Sequence, residues 1–452
     1  MDINALFARA ERACAAGSFA AARADLAQVL RLAGPQPAVL HLTALNEARA
    51  GEVAAARTAF AAAIRAAPND AQVLNNFANF LKQQGDTEAA LTHYGAALRA
   101  APGLHQARLN RAILLNSLGR LAEARRDADS LLSVRRDDPA VRQTSGAIHL
   151  AMGNLEAAAA DFDAVLAAKP QDLKGLHGRA RVAAIAGYDE LAISLYRAAR
   201  RQAPDDAELA LGLAEALEAA GEDGAIALLE QTVARDPTWT AGQDALARMR
   251  AEAGAGEAFD AGYRLAVASH PDDQPLALAH VACLFSADRW DAGLTALDGV
   301  VARHGRNEYS DLYEAMLATN VGDVARAQAA LARIGAVPQA ALARARLALR
   351  LGDPAQAVAV LEPLARADLD AVNLWAHLDL AWRLLGDARH EWLSGQASLV
   401  AVQDIEYAGD WTQLAEVLRG LHHARAHPIG QSVRGGTQTR GRLFGRPELA
   451  IR

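Results

Sequence analysis

Seven glycines stand in one register: Gly17, Gly51, Gly85, Gly119, Gly153, Gly187 and Gly221, each 34 residues from the last. A fixed period of this length means that one small unit is repeated, too small to bury its own apolar face, so neighbours must stack. Other positions keep the same period. Seven residues before each glycine come Ala10, Ala44, Ala78, Ala112, Gly146, Ala180 and Ala214. Five after it come Ala22, Ala56, Ala90, Ala124, Ala158 and Ala192. Nine after it come Leu26, Phe60, Tyr94, Ala128, Phe162 and Tyr196. Seventeen after it come Pro68, Pro102, Pro170 and Pro204, with Pro237 one place early.

Each mark has a physical cause. Glycine ends a first helix, where a left-handed backbone is cheapest without a Cβ. The small residues sit where two helices cross closely. The aromatic or leucine fills the wider gap towards the next pair, and the proline stops the second helix. Between the marks the apolar spacing is helical: Leu91, Tyr94, Ala97, Leu98 and Ala101 share one face. Glu52, Asp86, Glu156, Asp189 and Glu222 follow the turns and are expected to support the positive N-terminal ends of the second helices.

Composition agrees with a helical chain and narrows its partners. Of 452 residues 52% are hydrophobic, largely alanine and leucine, and 5% are aromatic, which favours helix over strand. A net charge of −7 lacks the basic face of a nucleic-acid binder. Cys14 and Cys283 are too few and too distant for a disulfide framework and read as small core residues. The first residues carry Asp2, Arg9, Glu11 and Arg12 rather than the apolar run of a signal peptide. No stretch reaches the roughly 20 apolar residues of a membrane span. A cytoplasmic protein without membrane contact is expected.

The segment Ala71–Pro102, AQVLNNFANFLKQQGDTEAALTHYGAALRAAP, resembles a tetratricopeptide repeat, with that family's small–small–glycine–alanine–aromatic–alanine–proline pattern. The resemblance implies an all-α, right-handed α-solenoid of stacked helix-turn-helix pairs with a short irregular C-terminal tail. The register is regular over residues 1–236. Beyond it Gly322 with Ala327, Gly352 with Ala357, and Gly386 repeat parts of the pattern, so residues 237–418 read as divergent pairs that continue the stack. The run SADRWDAGLTALDGVV from Ser286 reads as a second helix whose turn has lost its glycine. The glycines of Ala251–Gly262 suggest a joint. Residues 419–452 hold the terminal helix end and a Gly/Arg/Thr-rich tail.

In such repeats a groove lined by the first helices binds protein or peptide. The outward positions here include His41, Asn75, Asn76, Asn79, Lys82, Gln106, Asn110, Asn116, Gln143, Lys174, His177 and Arg181. Asparagine can meet both donors and acceptors of a peptide backbone, which makes Asn75, Asn76, Asn79 and Lys82 the best local candidates. Satisfaction of neighbouring backbone by the same asparagines stays open. The family's carboxylate clamp needs a basic residue where Ala147 stands, which argues against a chaperone-tail clamp.

The tail resembles something further. His427–Phe444, HPIGQSVRGGTQTRGRLF, after the Trp411–His423 run WTQLAEVLRGLHH, is similar to the junction in bacterial proteins that join a tetratricopeptide solenoid to an iron- and 2-oxoglutarate-dependent oxygenase. That resemblance implies a catalytic domain after this segment, and Arg452 leaves no room for one. His422, His423 and His427 do not have the two-histidine, one-carboxylate pattern of its iron site. A solvated tail is the other reading. No catalytic, metal or cofactor residue is assigned: phosphate loop, cysteine metal spacing and nucleophile elbow are all missing. Trp375, Trp382 and Trp392 read as core. A protein-binding scaffold that is not an enzyme is the expectation, with self-association possible; the recruiting part of a truncated oxygenase is the alternative.

Overall fold

The computed structural model describes residues 2–335, 337–403, 409–423, 425–426 and 429. They are all-α, with no strand among the described residues, and form right-handed stacks of paired helices. The chain divides into two compact units, Met1–Ala183 and Ala184–Arg452.

In unit 1 the pairs are α1 (Ile3–Ala15) with α2 (Phe19–Ala33), α3 (Pro37–Arg49) with α4 (Val53–Ala66), and α5 (Ala71–Gln83) with α6 (Thr87–Ala100). They continue as α7 (His105–Ser117) with α8 (Leu121–Leu132) and α9 (Pro139–Ala151) with α10 (Leu155–Ala168), and then α11 (Leu173–Ile185). Every laddered glycine adopts positive φ at the turn, from Gly17 at 75° to Gly221 at 69°. Prolines 68, 102 and 170 each stand two residues past the last residue of a second helix.

The repeated small residues are buried at the helix crossings: Ala10, Ala44, Ala78, Ala112 and Ala180 expose nothing. The larger residue nine after the glycine is buried as well, and Phe162 shows what it does. Its ring lies against Gly146 and against Gly178 in the following helix. A Cβ added at Gly178 would stand 2.3 Å from that ring, and at Gly146 2.9 Å. The aromatic is a plug, and glycine is the socket that admits it.

Polar residues follow the repeat too. Arg9 forks onto Asp25 (2.7 and 2.5 Å) and Arg111 onto Asp127 (2.7 Å twice), first helix to second, both at the same sequence separation. Phe77 and His93 occupy the same slots in the third pair, with ring centroids 4.7 Å apart. The acidic residues expected to support the second helices make no side-chain cap at Glu52 or Asp86. Capping bonds are made instead at the first helices, by Asp2, Asp70 and Asp138. Their oxygens take the free N–H groups of the first turn.

Unit 2 takes in the last two residues of α11 and continues with α12 (Asp189–Gln202), packed on α13 (Ala207–Ala220). Then follow α14 (Ala225–Arg235), α15 (Thr240–Glu252), α16 (Ala261–Ser269), α17 (Gln274–Ser286), α18 (Trp290–His304), α19 (Glu308–Val321) and α20 (Val324–Ile334). The last pairs are α21 (Ala341–Arg350) with α22 (Pro354–Ala367) and α23 (Val372–Leu385) with the short α24 (Arg389–Leu393), before α25 (Trp411–Gly420). The pairing thus persists after the glycine register fades. At the turn before α18 the left-handed position belongs to Asp288 (φ 58°), a residue whose short polar side chain tolerates it better than most. Between α15 and α16 the turn lengthens through Gly254 and Gly256, both at positive φ, and α16 is shortened. Tyr196 and Gly212 repeat the plug and socket, the added Cβ falling 2.5 Å from the ring. Further on, Arg306, Arg326 and Arg333 converge on the buried Glu314 of α19, while Arg306 and Arg333 also hold Asp311. Both cysteines are free and buried. Burial, with Asp244 and Asp260 nearby, pushes the Cys283 thiol up to about 12, so it is inert at neutral pH.

Gly178→Ala tests the plug. Overpacking costs about 1–3 kcal/mol, against about 1 kcal/mol gained in helix propensity. Urea titration should show a net loss of stability, and adding Phe162→Leu should restore most of it. An alanine variant at least as stable as the parent would refute the fit.

Candidate functional site

The first helices α3, α5 and α7 lie side by side in unit 1. Their facing polar residues join into one ladder. His41 Nε2 bonds Asn76 Nδ2 at 2.9 Å, and Asn75 Nδ2 donates to Asn76 Oδ1 at 3.3 Å. Asn110 Nδ2 donates to Asn79 Oδ1 at 3.0 Å and reaches Asn75 Oδ1 at 3.4 Å. The Asn110 oxygen accepts from Gln106 Nε2 at 3.0 Å, and the Tyr94 hydroxyl donates to Asn79 Oδ1. His41–Asn76 and Asn75–Asn110 are the same contact, one repeat apart.

The ladder changes the role of its members. Asn75, expected at an open position, is only 3% exposed, and its amide group is engaged on both sides. It links α5 to α7 through Asn110. Asn79 uses its oxygen twice, while its Nδ2 makes no bond among the described residues.

Asn76 and Asn79 meet in a recess of about 660 Å³, lined also by Arg49, Gln83, Cys14, Leu45, Phe60 and Phe80. The aromatic floor is rigid, with Phe60 5.1 Å from Phe77 and 5.6 Å from Phe80, centroid to centroid. Arg49 ends α3 at the rim and is exposed. Among the described residues it has no carboxylate partner, only a weak 3.9 Å approach to the Cys14 sulfur. The recess therefore offers two unspent donors, Arg49 and Asn79 Nδ2, above an apolar floor. It suits a peptide carbonyl or carboxylate with an apolar neighbour.

The remaining expected residues lie elsewhere. Lys82 is half-buried on α5 outside the recess lining, and Asn116 on α7 is half-buried with an unpartnered Oδ1. Gln143 donates to Asp172 Oδ1 at 2.7 Å. Lys174 and Arg181 are exposed on α11, with His177 half-buried between them. The sequence reading missed Arg49 and Gln83. Their signal was available: both stand two residues before a laddered glycine, at the end of a first helix.

Three histidines of unit 1 share one electrostatic state. Burial lowers the pKa of His41, opposed by Asp70, and of His93, opposed by Asp86. Burial and Arg125 lower that of His149, against Asp161 and Asp129. The ladder is thus built with a neutral His41.

A family model described as Tetratricopeptide repeat matches residues 76–140 and 145–207. Those two stretches match tetratricopeptide repeats. Among solved structures, a tetratricopeptide repeat protein from Parabacteroides merdae is similar at 19% identity, over 54% of this chain and 97% of that one, with a TM-score of 0.46. Yeast Tom70 is similar at 12% identity over 86% and 96%, TM-score 0.45. Pseudomonas aeruginosa pilF is similar at 19% over 46% and 94%, TM-score 0.41. No curated protein matches the sequence. The resemblance of the tail to an oxygenase junction gains no support: the family matches end at residue 207, and of residues 427–444 only Ile429 is described. Among the described residues no three His, Cys, Asp or Glu side chains group as metal ligands, and no helix is long and apolar enough to cross a membrane.

The histidines predict a mild acid sensitivity of the repeats. A histidine with a lowered pKa takes its proton more readily in the unfolded chain, so the folded state is favoured above the ordinary value of 6.5 and loses ground as pH falls below it. Melting temperature should fall between pH 7.5 and pH 5.5 (about one unit either side of a histidine's usual pKa), and His93→Phe should flatten the curve. A melting temperature constant across that window would contradict the assignment.

Proposed function

We propose that this protein is a non-enzymatic scaffold that captures a partner protein through an extended peptide laid on the first helices of unit 1. The carrying observation is the recess where Arg49, with no carboxylate partner among the described residues, and the unbonded Asn79 Nδ2 stand over Phe60 and Phe80. A peptide carbonyl or acidic side chain would take those donors, with an apolar neighbour on the aromatic floor. Asn76 and Gln83 would orient the backbone, while Lys82, Gln106, Asn116, Lys174, His177 and Arg181 extend the polar surface along the same helices. Asn75 and Asn110 hold the helices in place behind that surface. The recognition is of protein rather than nucleic acid, in keeping with the acidic net charge of −7, and the expected location is the cytoplasm.

A random-peptide display selection on the full chain tests this reading. Selected sequences should share an acidic residue beside an apolar one. Arg49→Glu should weaken a selected peptide at least about tenfold, as for a charge-assisted contact of 1.5–3 kcal/mol, without shifting the melting temperature. Failure to enrich any peptide, or binding indifferent to Arg49→Glu, would count against the reading.

A further inference from the structure

Residues from late in the chain lie against the turns of unit 2. The backbone N–H groups of Arg425 and Ala426 both donate to the Glu252 carbonyl, at 2.9 and 3.1 Å. Glu252 is the last residue of α15, where helix carbonyls lack partners within the helix. The His423 ring covers Gly221 at the turn between α13 and α14, so closely that an added Cβ would stand 2.6 Å from it. Ile429 packs against the buried cluster that contains Phe259, Tyr263 and Leu284. Three kinds of anchor thus follow one another: a ring on a glycine turn, paired backbone donors on a helix end, and an aliphatic side chain on an apolar cluster.

The charge beneath this segment is acidic. A cavity of about 500 Å³ is lined by Glu218, Glu222, Asp223, Glu230 and Glu252, together with His423 and Arg425. Arg248, Arg197 and Arg250 pair with Glu218, Glu222 and Glu230. Asp223 has no ion pair among the described residues. The described residues on this edge, 421–423, 425–426 and 429, include Arg425, His422 and His423 and no acidic residue.

We propose that this turn edge of unit 2, from α13 to α17, is a docking surface for an extended basic segment, and that the chain's own His423, Arg425, Ala426 and Ile429 occupy it in cis. Backbone donors on the α15 end give binding that tolerates sequence change. The acidic cavity and the Ile429 position supply selectivity. A tethered segment acts at an effective concentration in the millimolar range, so an external basic segment meets a filled site until the cis segment is released. The proposal uses no residue of the unit 1 recess, and each reading can fail alone.

The test uses the full chain and a fluorescein-labelled peptide with the sequence of residues 417–431. By anisotropy, the chain carrying Ile429→Asp should bind this peptide at least about tenfold more tightly than the wild-type chain, whose edge is filled. Adding Asp223→Lys to Ile429→Asp should weaken that binding about threefold or more, as charge loss at a rim does. Equal binding by wild type and Ile429→Asp, or no effect of Asp223→Lys, would overturn the proposal. Hydrogen exchange on the wild-type chain is the second measurement, independent of any substitution. The Arg425 and Ala426 amides should be protected at every protein concentration. Free exchange, or protection that appears only as the chain dimerises, would overturn docking in cis.

Discussion

The close crossing of two helices over a residue with almost no side chain is the contact from which the rest is built. Where Ala44, Ala78 and Ala112 sit at zero exposure, the backbones of a pair approach until van der Waals contact is continuous. That approach leaves a gap towards the next pair, and the size of the gap decides what fills it. Phe162 needs Gly146 and Gly178 to make room; Tyr196 needs Gly212. Large and small residues are matched across neighbours rather than within a helix, so each pair specifies the next.

The same geometry brings polar groups to fixed places, and their satisfaction follows from it. Within a pair, Arg9–Asp25 and Arg111–Asp127 bridge equivalent slots. Between pairs, His41, Asn75, Asn76 and Asn110 bond across the row of first helices. Burying such groups is tolerable because each finds a partner. The exceptions then carry information. Among them, Arg49 without a carboxylate and Asn79 Nδ2 without an acceptor stand beside a recess among the described residues, and that is where the functional reading rests. In the proposed reading, binding surface and scaffold are drawn from one row of side chains, divided by whether the neighbour already uses them.

Much of this was legible in the sequence because the repeat itself is the signal. The glycine ladder announced positive φ at every turn, and the alanines announced the crossings. The missing glycine near Ser286 was read as a turn, and Asp288 fills it with a left-handed backbone. The candidate site was less legible, for a physical reason. A helical position shows which face a residue occupies but not whether its neighbour one repeat away will bond it. The bond between Asn75 and Asn110 is therefore visible only in the structure. The aspartate caps at Asp2, Asp70 and Asp138 fall in every second repeat, with Gln36 and Leu104 in the slots between, so they leave a weaker trace than the glycines. Contacts between remote segments, such as Arg425 on Glu252, leave no periodic trace at all.

The most direct measurement is the hydrogen-exchange footprint of a selected peptide on the full chain. The account predicts slowed exchange at the end of α3 around Arg49 and along α5 from Asn76 to Gln83, with the second helices α4 and α6 unchanged. A footprint confined to the second helices, or one lying wholly in unit 2, would contradict the claim that the first helices of unit 1 hold the partner.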